Sequence, residues 1–399
     1  MAVGTRTLVG AEASNTGVRR FDFPELGRVI YGDGAVDQLG DEVRRLGGSR
    51  VLLVTSPSLA KQHDLMSRIR TALGDALAAE FHDAVAHVPL ASVEAAVESA
   101  RACKADVVLS FGGGSPVDCA KATAMCAGSE LTVAEALAQA KIERGTAGTV
   151  GTAHAPLPQI SVSTALSAAE YTPTFTVTQP VSKSKVMYYD SRITPATVVL
   201  DPGMTVTTPA WLWGASGVRA IDHCVEWFLS TASTPFTDAL VLRALGMLWR
   251  SLPAVLENPT DLDARLECQL AAWMSVYGSS NVLGGLSHAI GHQLGSSTGM
   301  VHGYTSCIVL PHVIEFNGEA VPDRVAELAR AAGLDTDDLA RGLRELIARL
   351  GLPSSISEAT DRAADLDAIA AETMREVAIA NNPRPVTEAA VRRILELAK

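Results

Sequence analysis

DVVLSFGGGSPVDCAKATAMCA, residues 106–127, is the stretch that decides the fold. Its apolar start reads as a buried strand. Gly112, Gly113 and Gly114 follow, and Ser115 starts a helix with Pro116 at the first position, where a missing N–H costs nothing. Glycines let a backbone approach a phosphate closely, and a helix start offers free N–H groups and the positive end of the dipole. A tight strand–helix turn without ligand has the same residues; the preceding strand and the capped helix favour ligand binding. Outward from this unit the alternation continues. RVLLVT (50–55), PQISVST (158–164) and ATVVLD (196–201) read as strands, MSRIRTALGDAL (66–77) and VEAAVESARACK (93–104) as amphipathic helices. Strands separated by helices predict a parallel sheet covered on both faces. After about residue 205 the strand signals stop and helical patterns run from PAWLWGASGVRAIDHCVEWFL to EAAVRRILELAK. The expected organisation is a loose tail over 1–20, an α/β domain over 21–204 and an all-α domain over 205–399, joined near 203–208 in DPGMTVTTP. So short a linker predicts closely packed domains with a cleft, where ligand sites are favoured.

The composition narrows the function classes. The chain has 399 residues, 47% of them hydrophobic and 19% charged, with a net charge of −11. That is ordinary for a soluble globular protein with ample core, and it argues against a nucleic-acid surface, which needs a basic stripe. No apolar run reaches 18 residues, so no membrane span is expected, and the first twenty residues lack the pattern of a signal peptide. Cys103, Cys119, Cys126, Cys224, Cys268 and Cys307 are scattered, without CxxC pairs. Reduced, mostly buried thiols in the cytoplasm are the expectation.

The chemistry concentrates in LSHAIGHQLGSSTGMVHG (286–303), which holds His288, His292 and His302, three of the nine histidines. His288 and His292 are four apart and stack on one helix face. His223 lies upstream in GVRAIDHCVEWF. Imidazoles so grouped hold a divalent metal or move protons; a lone helical histidine is more often structural, as is read for His312, and His63, His82, His87 and His154 are read as surface or loop residues. Four positions before His223, where a metal site would want a carboxylate, stands Arg219. STALSAAEYT (163–172), dense in small and hydroxyl residues, suits a loop lying against a planar ring and phosphates, or a polar turn. At the end of RVLLVT, where a dinucleotide site often has an acid for the ribose 2′-hydroxyl, stands Ser56, so no carboxylate repels a 2′-phosphate and NADPH is expected to be tolerated beside NADH.

Together these motifs resemble group III, iron-containing alcohol dehydrogenases, and within them the maleylacetate reductase-like branch. FDFPELGRVIYGDGAVDQLG resembles the family's N-terminal strand pair, FGGGSPVDCAKA its pyrophosphate loop, STALSAAEYT its nicotinamide-side loop, VVLDPGMTVTTP its domain junction, GLSHAIGHQLGSSTGMVHG its signature and NNPRPVTEAAV its C-terminal ending. The resemblance implies a Rossmann-like N-terminal domain, an α-helical catalytic domain as in dehydroquinate synthase-like folds, a homodimer, and NADH or NADPH held by Ser56, Gly112, Gly113, Gly114, Ser115, Asp118, Lys121, Ser163, Thr164 and Ser167. In metal-using members an aspartate and three histidines hold Fe²⁺ or Zn²⁺. His223, His288 and His302 match those histidines, His292 matches a histidine near the nicotinamide that is not a ligand, and the aspartate position is Arg219. Asp222, three residues on and about 60° off that face, is not expected to substitute. A guanidinium removes a ligand and adds a fixed positive charge, and two cations in one cavity repel strongly, so no tightly bound divalent metal is expected. Maleylacetate reductases resemble HKLCH where this chain reads HAIGH, with Gly291 in place of the cysteine.

The expected protein is a metal-independent NAD(P)H-dependent reductase of a small carboxylated molecule. Hydride passes to a carbonyl or activated enoate, Arg219 holds or polarises the acceptor, and His223, His288, His292 or His302 supplies the proton, with His292 preferred. The alternatives are a metal-dependent alcohol dehydrogenase with His223, His288 and His302 as ligands, a non-redox lyase or cyclase on the same scaffold, a ligand-binding pseudoenzyme, and, for Arg219, an ordinary exposed pair with Asp222 or Glu226.

Overall fold

The computed structural model describes residues 20–23, 25–140, 154–180, 185–282 and 284–399. They form two compact units that part between Thr207 and Thr208, three residues beyond the expected junction. One further boundary differs from expectation. Residues 20–23 belong to the second unit, because Phe21 packs edge-on against Phe236 at 5.1 Å and Asn281 exchanges hydrogen bonds with the Asp22 backbone. The rest of the expected tail lies outside the described residues.

The first unit is built on a six-stranded parallel sheet. Its strands are β1 (Arg28–Tyr31), β2 (Val51–Thr55), β3 (Leu77–Phe81), β4 (Val107–Gly112), β5 (Gln159–Ser163) and β8 (Thr197–Leu200), in the order β1-β8-β5-β4-β2-β3. β6 (Thr174–Thr178) and β7 (Lys185–Tyr189) form a separate antiparallel pair. The helices are α1 (Leu39–Arg45), α2 (His63–Leu73), α3 (Leu90–Ala102), α4 (Gly114–Ala127) and α5 (Val133–Ala140). Successive strand residues point to opposite faces. Val51 and Leu53 therefore join Leu39, Val43 and Ile69 in one core, while Leu52 and Val54 join Val93, Val97 and Ala120 in the other. Every residue of β2 and β4 is buried, as a parallel sheet covered on both faces requires.

The second unit has no strand among its described residues. α6 (Ala210–Leu229), α7 (Pro235–Glu257), α8 (Leu262–Val276), α9 (Leu286–Thr298) and α10 (His302–Gly318) surround the histidines, and α11 (Pro322–Ala331), α12 (Leu339–Arg349), α13 (Leu366–Thr373) and α14 (Glu388–Leu397) follow. α7 is long and apolar enough to cross a membrane by length and composition; it packs instead on α6 and α8. Two glycines set how closely α6 is approached. A Cβ on Gly217 would lie 2.3 Å from Leu252 of α7, and one on Gly303 would lie 2.5 Å from the Ala215 carbonyl. Gly303 thus lets the first turn of α10 rest on the α6 backbone, which brings Ser306 over Asp222.

α4 is tied to the β6–β7 pair by buried polar groups. Lys121 is fully buried, and its Nζ donates to the carbonyls of Ala169 and Thr172, both at 2.6 Å, and of Thr174 at 2.9 Å. These acceptors match the three N–H groups of an ammonium. Burial pulls Lys121 down to about 8, and Asp118 and Glu170 hold it up. Asp118 accepts from the Thr176 N–H at 3.0 Å and its hydroxyl at 2.9 Å. Lys121→Met should leave three buried carbonyls without donors. It is expected to cost about 3 kcal/mol or more of folding free energy, read as a lowered urea midpoint at unchanged slope; an unaltered midpoint would show that Lys121 does not hold the hairpin.

Candidate active site

α6 sets Arg219, Asp222, His223 and Glu226 at i, i+3, i+4 and i+7, a single stripe by helical geometry. The stripe is buried: Arg219 is 12% exposed and Asp222 not at all. α9 faces it with Ser287, His288 and His292, and α10 with His302 and Ser306. The four candidate histidines form a file. Ring centroids are 5.1 Å apart for His223–His288, 6.5 Å for His288–His292 and 5.7 Å for His292–His302. Trp227 lies parallel to His223 at 5.5 Å. The structure therefore brings together all five candidate catalytic residues read from the sequence.

The charges are arranged differently from expectation. Asp222, placed off the face on helical geometry, is inside the cluster. Its Oδ2 accepts from the Ser306 hydroxyl at 2.6 Å, the Ser287 hydroxyl at 2.9 Å and Arg219 Nη1 at 3.3 Å. The cluster is wide because α9 and α10 both flank α6, so a residue 60° round the helix still meets them. The Arg219–Asp222 pair was anticipated only as an exposed one; both partners are buried. Arg219 Nη1 also donates to Ser306 Oγ at 3.2 Å. Burial works against the Arg219 charge, and Asp222 and Glu226 sustain it. Burial likewise raises Asp222, against the pull of His288 and Arg219.

Glu226 holds the start of α9. Its carboxylate accepts from the backbone N–H groups of Gly285 at 3.1 Å, Ser287 at 2.5 Å and His288 at 3.1 Å, and it bonds His288 Nδ1. α9 has no capping side chain of its own at Gly285, so a carboxylate from another helix satisfies its orphan donors. Burial pushes Glu226 up to about 7, while those N–H groups and Arg219 draw it down. Burial and the nearby positive groups keep His223 and His288 well below the usual histidine range. His288 Nε2 is buried and without a hydrogen-bond partner. His223 Nδ1 is 3.5 Å from Ser275 Oγ, and His292 Nδ1 is 3.8 Å from Glu376.

The donor set bears on metal binding. Asp222, Glu226 and His288 offer ligand atoms within 4.8 Å of one another. Yet both Glu226 oxygens already serve the α9 N-terminus, His288 Nδ1 faces Glu226, and Asp222 Oδ2 carries three donors, one of them cationic. Asp222, Glu226, Ser287 and Ser306 were not read as site residues. The i+7 spacing from Arg219 to Glu226 was the available signal; the two serines, small polar residues among many, gave none.

In the first unit, β4 ends at Gly112 and α4 begins at Gly114, with no side-chain bond at its N-cap, Gly113. Gly112 has φ +148°, a conformation glycine adopts without strain. A Cβ on Gly113 would lie 3.2 Å from Ala165, and one on Gly114 would lie 3.4 Å from Ser167 Oγ, a buried hydroxyl without a partner. Bare backbone beside an unpaired hydroxyl and an uncapped helix start fits a pyrophosphate. Ser115 starts the same helix. Thr164 N–H bonds the Gly112 carbonyl at 3.0 Å and Ser163 Oγ the Ala165 carbonyl at 3.1 Å, so both residues shape this loop. Ser56 caps the short helix Pro57–Ala60 through the Leu59 N–H. Asp118 and Lys121, expected among the cofactor contacts, are instead committed to the β6–β7 pair, because burial leaves each only those partners. The cysteines are unpaired, all but Cys103 buried.

Comparison with known proteins follows the same two parts. The iron-containing alcohol dehydrogenase family matches residues 27–202, and the C-terminal Fe-containing alcohol dehydrogenase family matches 214–399. The maleylacetate reductase of Sphingobium indicum is 32% identical over 93% of this chain and 95% of its own length. The NAD-dependent methanol dehydrogenase of Bacillus methanolicus is 28% identical over 92% and 97%. The crystal structure of maleylacetate reductase from Rhizobium sp. strain MTP-10005 is 29% identical, with a TM-score of 0.78 over 96% of this chain and 98% of that one. These relatives set aside the non-redox and pseudoenzyme alternatives. With its parallel sheet, glycine loop and helical histidine unit, the chain belongs to the iron-containing alcohol dehydrogenase family, in its maleylacetate reductase-like branch, and is an NAD(P)-dependent oxidoreductase.

Proposed function

We propose that this protein is a metal-independent NAD(P)H-dependent reductase of a small carboxylated molecule, with Arg219 standing where metal-using relatives have a ligand aspartate. The observation that carries this reading is a guanidinium buried in the histidine cluster and anchored by one nitrogen only. Nη1 is taken by Asp222 and Ser306, which leaves the N–H groups of Nε and Nη2 to meet a carboxylate or a developing alkoxide. A divalent cation does not fit this donor set. Glu226 is saturated, Asp222 already neutralises Arg219, and a metal would have to sit beside a fixed positive charge.

NAD(P)H, held by the bare Gly112–Gly114 turn and the start of α4, supplies the hydride. Arg219 orients the acceptor and stabilises negative charge on its oxygen. His292 delivers the proton. Trp227 and the packed faces of α6 and α9 keep water from the inner histidines. Ser56, a neutral group that caps its own helix, leaves the ribose end without a repelling carboxylate. The maleylacetate reductases among the relatives favour a keto acid or enoate as substrate.

Three outcomes test this. Arg219→Ala should lower kcat/KM for a carboxylated acceptor by about 10²–10³-fold while NADH affinity, read by fluorescence, stays within about twofold; wild-type turnover would end the assignment. Because removing one partner of a buried pair also destabilises, the variant is compared at a temperature where circular dichroism shows it folded. Chelator-treated protein should oxidise NADH with maleylacetate or related keto acids at an undiminished rate, and activity lost to chelation and restored by Zn²⁺ or Fe²⁺ would establish the three-histidine metal reading instead. Finally, kcat/KM for NADH over NADPH should stay below about a hundredfold, as the missing ribose acid implies; a larger preference would show that another group excludes the 2′-phosphate.

A further inference from the structure

The structure commits one face of His288 and leaves the other bare. Its Nδ1 points at the Glu226 carboxylate, and Asp222 Oδ1 lies 3.6 Å from the same nitrogen. Its Nε2 is buried and has no partner, in a residue only 6% exposed. Glu226 in turn is fixed from the other side. Three backbone N–H groups hold it, and it lies so close to the chain that a Cβ on Gly285 would be 2.5 Å from its Oε1. An oxygen that already accepts N–H bonds is an acceptor toward the imidazole too, so the imidazole proton belongs on Nδ1.

We propose that Glu226 is a positioning residue that sets the tautomer of His288, making Nε2 a hydrogen-bond acceptor aimed at the bound ligand. This rests on the reductase reading above and sharpens it. In carbonyl reduction hydride adds to carbon, the C=O π pair moves onto oxygen, and a proton closes the O–H bond. With no proton on Nε2, His288 is not the donor of that proton. It accepts the hydrogen bond of the hydroxyl so formed, and delivery falls to His292, whose side chain is 29% exposed and reaches toward Glu376. The ligand group facing His288 must therefore carry an O–H or N–H: the alcohol product qualifies there, whereas a second carboxylate does not.

The test reads the tautomer directly, on full-length protein without substrate, by ¹⁵N NMR of histidine-labelled samples, with His288 assigned from its absence in His288→Gln. Wild type should show a protonated Nδ1 and a bare Nε2. In Glu226→Gln the amide N–H₂ faces Nδ1, so the proton should move to Nε2, and kcat should fall about 10–100-fold with KM for the nicotinamide cofactor unchanged. A proton on Nε2 in wild type, or an unchanged tautomer in a folded Glu226→Gln, would overturn the proposal. If Glu226→Gln does not fold, the wild-type spectrum decides alone. Because the spectrum needs no turnover, it separates an error about Glu226 from an error about the substrate.

Discussion

The carboxylate of Glu226 is the constraint on which the second unit's chemistry depends. Burying an isolated carboxylate costs several kcal/mol, and here the N-terminus of α9 offsets that cost with three N–H donors and the positive end of its dipole. One interaction thereby does three things. It terminates α9 where that helix has no cap of its own, it fixes the distance from α6 to α9, and it orients the imidazole nearest both. Gly285 must be glycine for the carboxylate to come so close. The histidine segment is ordered because its first turn is held from outside.

The rest of the stripe follows the same rule: each buried charge is matched by groups whose position the backbone already fixes. Arg219 meets Asp222, and Asp222 is steadied by serines from two further helices. Lys121 in the first unit is handled alike, with three carbonyls of a strand-and-turn segment receiving its ammonium. In both places a charged side chain holds a segment with little apolar content of its own. The close packing that permits this is set by glycines on or facing α6, where any side chain would force neighbouring helices apart.

The parallel sheet was legible in the sequence because its strands are continuous apolar runs broken by helical periodicity, and the glycine turn announced itself by three consecutive residues. The hairpin of β6 and β7 was not, since TFTVT carries no sign of its partner's register. Among site residues, the histidines were legible because they cluster in sequence. Asp222 was misplaced by treating α6 as facing a single neighbour, when it faces two. Glu226 was seen only as a possible surface partner, because capping of one helix by another's side chain leaves no trace in local sequence. Lys121 and Asp118 sit beside the glycine turn in sequence, and proximity along the chain suggested a shared ligand where burial gave them a different task.

The Arg219–Asp222 pair also bears on how such a site could change through descent. Restoring an aspartate at position 219 would place three acidic side chains along one buried stripe of α6, with their only fixed cation removed. An intermediate of that kind gains a ligand and loses the neutralisation of Asp222 in the same step. It would fold well only where metal is already abundant or where Asp222 has first been replaced by a neutral residue. The pair thus acts as a ratchet: the route away from a metal site is open one substitution at a time, while the route back requires two changes in a set order.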